Sequence, residues 1–236
     1  MVKLMIFDLN IRKTFRPANG RFDLQVCLQS TSDRIVLLGE SGAGKSLTMK
    51  SIAGLLTPDS GHIRLQQKTL FDSARHINLT PRQRQLAYLF QDYALFPHLN
   101  VRQNIGFGLK QGWRNPRADI AHAKIEHWLQ AFGLQTVAHQ FPHELSGGQK
   151  QRTALARALI AEPCALLLDE PFAALDPALR AHMRSELSQV QSQLRIPMIL
   201  ITHDVDDAAL FGDQIFRIHQ GRLQDEHSGL TLIHAA

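Results

Sequence analysis

The run Arg34-Ile35-Val36-Leu37-Leu38 passes directly into Gly39-Glu40-Ser41-Gly42-Ala43-Gly44-Lys45-Ser46 and then into Leu47–Leu55. Few folds accept that series. The first run is apolar enough to be a strand buried on both faces. The glycines allow backbone angles that turn several N–H groups to one side. Leu47–Leu55 reads as a helix, stopped by Pro58, Ser60 and Gly61. Strand, glycine-rich turn and helix in that order place a nest of donors at a positive helix end, which is an anion site. Lys45 adds a cation and Ser46 a hydroxyl, completing the phosphate-binding pattern Gly-x4-Gly-Lys-Ser. Gly39 through Leu47 are therefore the expected nucleotide-binding residues, with Lys45 on the β- and γ-phosphates and Ser46 as a magnesium ligand. A glycine-rich turn that binds nothing would account for Gly39 or Gly44, but not for Lys-Ser at that offset.

Two more apolar runs end in polar groups. Ala165–Leu168 ends in Asp169-Glu170, and Ile199-Leu200-Ile201-Thr202 ends in His203. Ligands of a parallel sheet sit at the carboxyl ends of its strands. Asp169 is expected to hold magnesium, Glu170 to polarise an attacking water, and His203 to contact the γ-phosphate. Gln91 ends Leu86–Phe90 in the same way, with an amide suited to magnesium or to that water.

The remaining chain predicts extended segments at Leu4–Leu9 and Phe22–Leu28 with a turn at Pro17–Gly20. A short hairpin is expected at Ile63–Leu65 and Thr69–Phe71, and helices over Ala118–Phe132, Gln149–Ile160 and Pro177–Leu194. Ser146 is a plausible cap for the second of these. Phe216–Ile218 and Arg222–Leu223 read as a closing hairpin. Together these predict an α/β fold of the P-loop NTPase (RecA-like) type, with a mainly parallel sheet, antiparallel strands at the N-terminus and an inserted helical subdomain. The expected division is a catalytic core over about 1–91 and 161–225, a helical subdomain over about 92–160, and a tail over 226–236.

Net charge of +5 suits phosphate ligands or an anionic surface. No block of Lys and Arg of the nucleic-acid type is present, and the densest basic stretch, Arg75 to Arg84, is mixed with apolar and amide residues. The two cysteines, Cys27 and Cys164, sit in apolar neighbourhoods and are expected as buried free thiols. No apolar run approaches the roughly 20 residues of a membrane span, and the N-terminus lacks a signal-peptide pattern, so a cytosolic location is expected.

Leu145-Ser146-Gly147-Gly148-Gln149-Lys150-Gln151-Arg152 gives these parts a family. With it, the chain resembles the ATP-binding cassette family, in which the phosphate loop, Gln91, the signature Leu145–Gln149, Asp169-Glu170, Ala174-Leu175-Asp176 and His203 follow in this order. The resemblance covers nearly the whole chain. It implies ATP hydrolysis with magnesium by a head-to-tail dimer of two cassettes and two ATP molecules. Ser146, Gly147, Gly148 and Gln149 would face the ATP of the partner copy, with Asp176 at the seam. In this family an aromatic ahead of the phosphate loop stacks on adenine, and Phe15 and Phe22 are both candidates.

Phe90 to Val101 looks like the importer branch, where this stretch receives a helix of a membrane permease subunit; Phe96, Pro97 and Leu99 would supply the walls. Phe71 to Arg84 is similar to the molybdate importer ATPase, with sulfate, iron and polyamine importers related. The implied partners are a second cassette, permease subunits and, indirectly, a solute-binding protein, at the cytoplasmic face of the inner membrane. Those ATPases usually carry a C-terminal regulatory domain, which this sequence does not reach, so oxyanion sensing within the chain is not expected. The alternative is a non-transport cassette acting on nucleic acid or ribosomes. Such members carry an inserted coiled coil or a second cassette, and neither pattern is present in this sequence.

Overall fold

The computed structural model describes residues 4–16, 20–109, 115–173, 175, 177–194 and 196–224. Asp176, residues 17–19 of the expected turn and the tail over 226–236 lie outside the described residues.

In chain order the elements are β1 (Phe7–Phe15), β2 (Phe22–Ser30), β3 (Arg34–Leu38), α1 (Lys45–Ala53), β4 (Ser60–Leu65), β5 (Lys68–Asp72), β6 (Ile77–Asn78), α2 (Pro81–Arg84) and β7 (Leu86–Leu89). Then follow α3 (Val101–Phe107), α4 (Ala123–Ala131), α5 (Gly147–Leu159), β8 (Ala165–Asp169), α6 (Pro177–Leu194), β9 (Met198–Thr202), α7 (Val205–Phe211), β10 (Gln214–His219) and β11 (Arg222–Leu223). The strands form one sheet in the order β6-β5-β4-β1-β2-β11-β10-β3-β9-β8-β7. The half from β6 to β2 is antiparallel, and β10-β3-β9-β8-β7 is parallel. β11 joins them, antiparallel to β10 and parallel to β2 at Arg222 and Gln25.

The apolar strands are apolar because both faces are covered. Val36, Leu38, Leu166, Leu168, Met198 and Leu200 face one core, shared with Ile105 of α3, Leu129 of α4, Leu155 of α5, Met183 of α6 and Phe211 of α7. Ile35, Leu37, Leu167, Ile199 and Ile201 face the other, shared with Met49 and Ile52 of α1 and with Leu9, Ile11, Leu24 and Val26 of the antiparallel strands. At about 25 cal/mol per Å² of apolar surface, this two-sided burial is the main favourable term of the fold.

The antiparallel half follows the other rule, inside and outside by turns. On β2, Leu24, Val26 and Leu28 are buried while Gln25, Cys27 and Gln29 are exposed. That alternation corrects the expectation for Cys27, which is an exposed free thiol. Cys164 is a half-buried free thiol, with Sγ 3.3 Å from the Arg84 carbonyl and 3.2 Å from that of Gln85. Three further differences have local causes. β1 runs on to Phe15 because its pairing with β2 continues to Phe22. α4 starts at Ala123, not Ala118, because His122 caps it, accepting from the Lys124 N–H at 3.2 Å. The seven-residue α7, too short to show a helical period, is started by the Asp204 carboxylate, which accepts from the Asp206 and Asp207 N–H groups.

α1 is closed by an unusual group. Arg84 is completely buried and donates to the carbonyls of Ser51 (2.7 Å), Ile52 (2.8 Å) and Leu79 (2.8 Å), and to Oδ1 of Asn78 (3.0 Å). Burial pushes its pKa down to about 10, which leaves it a cation at neutral pH at the negative end of the helix. No helix among the described residues is long and apolar enough to cross a membrane.

Candidate active site

The phosphate loop bends at Gly42 (φ 80°) and Gly44 (φ 107°), angles open to glycine and costly for residues with a Cβ. The turn between β10 and β11 supports it: the Gly221 N–H donates to the Ala43 carbonyl at 2.8 Å. Lys45, 4% exposed, ties the loop from inside by donating to the carbonyls of Gly39 (2.5 Å) and Glu40 (2.8 Å).

Two hollows meet at Ser41, Gly42 and Ala43. The smaller, about 240 Å³, is lined by the loop from Ser41 to Leu47 together with Gln91 and Glu170. The larger, about 780 Å³, lies between the loop and the antiparallel strands, with Phe22, Arg222 and Gln224 on its walls. Of the two aromatic candidates, Phe22 lines this hollow. Phe15 does not, and packs against Phe22 with centroids 6.3 Å apart.

Ser46 donates from Oγ to Oδ1 of Asp169 at 3.1 Å. A hydroxyl and a carboxylate in contact, beside the Gln91 amide, are a hard-oxygen donor set that fits magnesium, which takes one or two protein oxygens and completes its shell with phosphate and water. The other carboxylate oxygen, Oδ2, accepts from the Tyr88 hydroxyl at 2.8 Å. Burial, then the Asp169 charge and this bond, holds the Tyr88 phenol far above its ordinary pKa, so it is a donor throughout the physiological range.

Glu170 leaves the end of β8 with φ 47°, a left-handed conformation that a non-glycine residue adopts at some cost. Its N–H donates to the Ile201 carbonyl at 3.0 Å. Its carboxylate lies between Nζ of Lys45 at 3.7 Å and Nδ1 of His203 at 3.3 Å. His203 is mostly exposed, but the turn that carries it is firmly held. Arg184 of α6 binds Asp207 (2.6 Å) and Asp204 (3.1 Å), Arg180 binds Asp204 (3.2 Å), and the Thr202 hydroxyl donates to Asp207 (3.0 Å). Burial raises the Asp207 carboxyl against the pull of Arg184 and Thr202; for Asp204 the Asp206 and Asp207 N–H groups and the two arginines outweigh burial and lower it.

Ser146 starts α5 through a reciprocal pair of bonds with Gln149: Oγ accepts from the Gln149 N–H at 3.3 Å, and Oε1 of Gln149 accepts from the Ser146 N–H at 2.8 Å. The helix therefore begins at Gly147, two residues before the expected start. Ser146 through Gln149 line neither hollow. The structure thus brings the phosphate loop, Gln91, Asp169, Glu170 and His203 together within one chain.

The segment after Gln91 is bound to the far end of the same helix. Arg157 of α5 donates to the carbonyls of Tyr93 and Ala94, both at 2.8 Å, and lies 5.4 Å from the centre of the Phe96 ring. Tyr93 and Ala94 both take left-handed angles. Leu99 is buried in the core, so of the expected groove walls only Phe96 and Pro97 are open to solvent. Tyr88, Arg157 and the Arg180–Arg184 pair were not singled out from sequence for these contacts. An arginine on a helix and a tyrosine in a strand carry no local sign of partners 20 to 81 residues away.

The ABC transporter family model matches residues 23–173. The chain is 41% identical over 223 residues to the "Fe(3+) ions import ATP-binding protein FbpC 2" of Haemophilus influenzae, covering 94% of this chain and 61% of that protein. It is 36% identical to the "Molybdenum import ATP-binding protein ModC" of Haemophilus ducreyi, covering 92% and 59%. It is 42% identical to the "Sulfate/thiosulfate import ATP-binding protein CysA" of Mycobacterium tuberculosis, covering 82% and 53%. The chain thus spans a little over half of the length of these curated relatives. Among solved structures, the dimeric ATP-binding cassette MJ0796 bound to ADP and Pi superposes with a TM-score of 0.76 at 25% identity, covering 95% of this chain and 98% of that one. The family match runs through the phosphate loop, Gln91, the Ser146 helix start and Asp169-Glu170; the chain belongs to the ABC transporter family.

Proposed function

We propose that this chain binds and hydrolyses ATP as the motor subunit of an importer. The observation that carries this reading is the convergence of Ser41–Leu47, Gln91 and Glu170 on one hollow, with Asp169 in contact with Ser46. The loop N–H groups and Lys45 bind the phosphates. Glu170 takes a proton from the attacking water as the γ-phosphorus–oxygen bond to ADP breaks, and His203 orients the γ-phosphate. Magnesium, when bound with the nucleotide through Ser46, Asp169 and Gln91, offsets charge on the β- and γ-phosphate oxygens. Phe22 is the better placed adenine platform.

A second copy supplies Ser146 to Gln149 and Asp176 to each ATP. The absence of the signature residues from both hollows of a single chain, and the dimeric state of the MJ0796 cassette, support that assembly. Membrane permease subunits docked near Phe96 and Pro97 and a solute-binding protein complete the transporter, and the chain sits on the cytoplasmic face of the inner membrane. The relatives' names span iron, molybdenum, sulfate/thiosulfate and trehalose/maltose, and the Phe71–Arg84 stretch favours molybdate or a related oxyanion over sulfate, iron or polyamine.

Magnesium-dependent phosphate release from ATP by the purified chain is the direct test, and absence of both ATP binding and turnover would end this reading. Lys45→Ala is expected to weaken ATP binding about tenfold to a hundredfold, from a charge-assisted contact worth about 1.5–3 kcal/mol. Titration with a fluorescent ATP analogue measures it, and wild-type affinity in the variant would remove Lys45 from the phosphate site.

A further inference from the structure

We propose that Tyr88 is a positioning residue for Asp169: its hydroxyl holds one carboxylate oxygen and so fixes the rotation of the group, turning the other oxygen to the magnesium site. This rests on the proposed role of Asp169 as a magnesium-holding group. The terminal torsion of an aspartate is broad, so the carboxylate plane turns easily unless partners hold both of its oxygens. Here each oxygen has one partner of different kind. Oδ1 meets the Ser46 hydroxyl at 3.1 Å on the phosphate side, and Oδ2 is held by the Tyr88 hydroxyl at 2.8 Å. A phenol donating to a carboxylate is a charge-assisted bond, stronger than one between neutral groups.

Tyr88 is itself well fixed. It lies on β7 opposite Leu167 of β8, and its ring packs on Phe90 with centroids 4.3 Å apart. The same strand leads to Gln91 on the wall of the smaller hollow. β7 therefore presents two groups to the site: Gln91 from its end and Tyr88 from its middle. With Oδ2 occupied, Oδ1 stays turned towards Ser46 and the phosphates. Partners of this kind, which orient a ligand without touching the metal, typically change metal affinity by about 10–100-fold when removed.

The test is Tyr88→Phe, which removes only the phenol oxygen and keeps the ring against Phe90. ATP binding is measured in EDTA, turnover is measured across a magnesium titration, and Mn2+ binding in the presence of a non-hydrolysable ATP analogue is followed by electron paramagnetic resonance. The expected result is unchanged metal-free ATP affinity, with the half-saturating magnesium and Mn2+ concentrations raised about tenfold or more. A metal dependence equal to wild type overturns the proposal. So does an equal loss of ATP binding with and without metal, which would make the phenol a support of the strand alone. A wild-type protein that binds ATP without any response to magnesium fails the Asp169 assignment itself, and is distinguished from the other outcomes by needing no variant.

Discussion

Glu170→Gln is expected to lower ATP turnover by about 10²–10⁴-fold, the contribution of a general base, while ATP still binds. Glutamine has the same shape but no basic oxygen. It keeps the backbone position, φ 47° and the N–H bond to the Ile201 carbonyl, because neither depends on the acid. What changes is charge. In the wild type the carboxylate stands 3.7 Å from Lys45 and 3.3 Å from His203, between the groups assigned to the phosphates. Its removal takes away a negative neighbour of Lys45, so ATP affinity is expected to hold or rise. Single-turnover hydrolysis and equilibrium binding on the same sample separate the two effects. Turnover within a few-fold of wild type would place the base elsewhere.

Arg84→Ala is expected to destabilise the fold by about 3 kcal/mol or more. The guanidinium satisfies three carbonyls and the Asn78 amide oxygen at a site with no exposure. A buried polar group left without a partner costs about 1–3 kcal/mol, and alanine strands several at once beside a cavity. At about 2–4 °C per kcal/mol for a domain of this size, the melting temperature falls by about 6–12 °C. The effect reaches the site because two of the carbonyls, Ser51 and Ile52, belong to the last turns of α1, whose first residues are Lys45 and Ser46. Gly54 shows the same crowding: it takes φ 80°, and a Cβ there would lie 2.6 Å from Nε of Arg84. Urea unfolding measures the loss, and a change below about 1 kcal/mol would show that water replaces the guanidinium without penalty.

The parallel half of the sheet was legible because its strands are apolar on both faces, as burial from both sides requires. The strand ends at Asp169 and before His203 could be placed from those runs; Gln91, two residues past β7, needed the Leu145–Arg152 motif as well. The helix start at Ser146 was legible from its cap, although the helix begins at Gly147, two residues before the expected start at Gln149. Other features depend on pairing that no local pattern encodes. Cys27 looks apolar in sequence and is exposed because β2 turns alternate residues outward. α7 is too short to show a period. The Tyr88–Asp169 bond links positions 81 residues apart, and the Arg84 contacts with α1 are 32 and 33 residues apart; each exists only once the sheet has formed. Apart from α7, a local pattern supplied the element, and the tertiary contact supplied the role of the side chain.

Light scattering of Glu170→Gln with Mg-ATP, combined with a count of bound nucleotide, tests the account most directly. The account predicts twice the mass of one chain, with one ATP retained per chain, reverting to single chains when nucleotide is removed. A protein saturated with ATP at the mass of a single chain would contradict a site completed by the partner's signature residues.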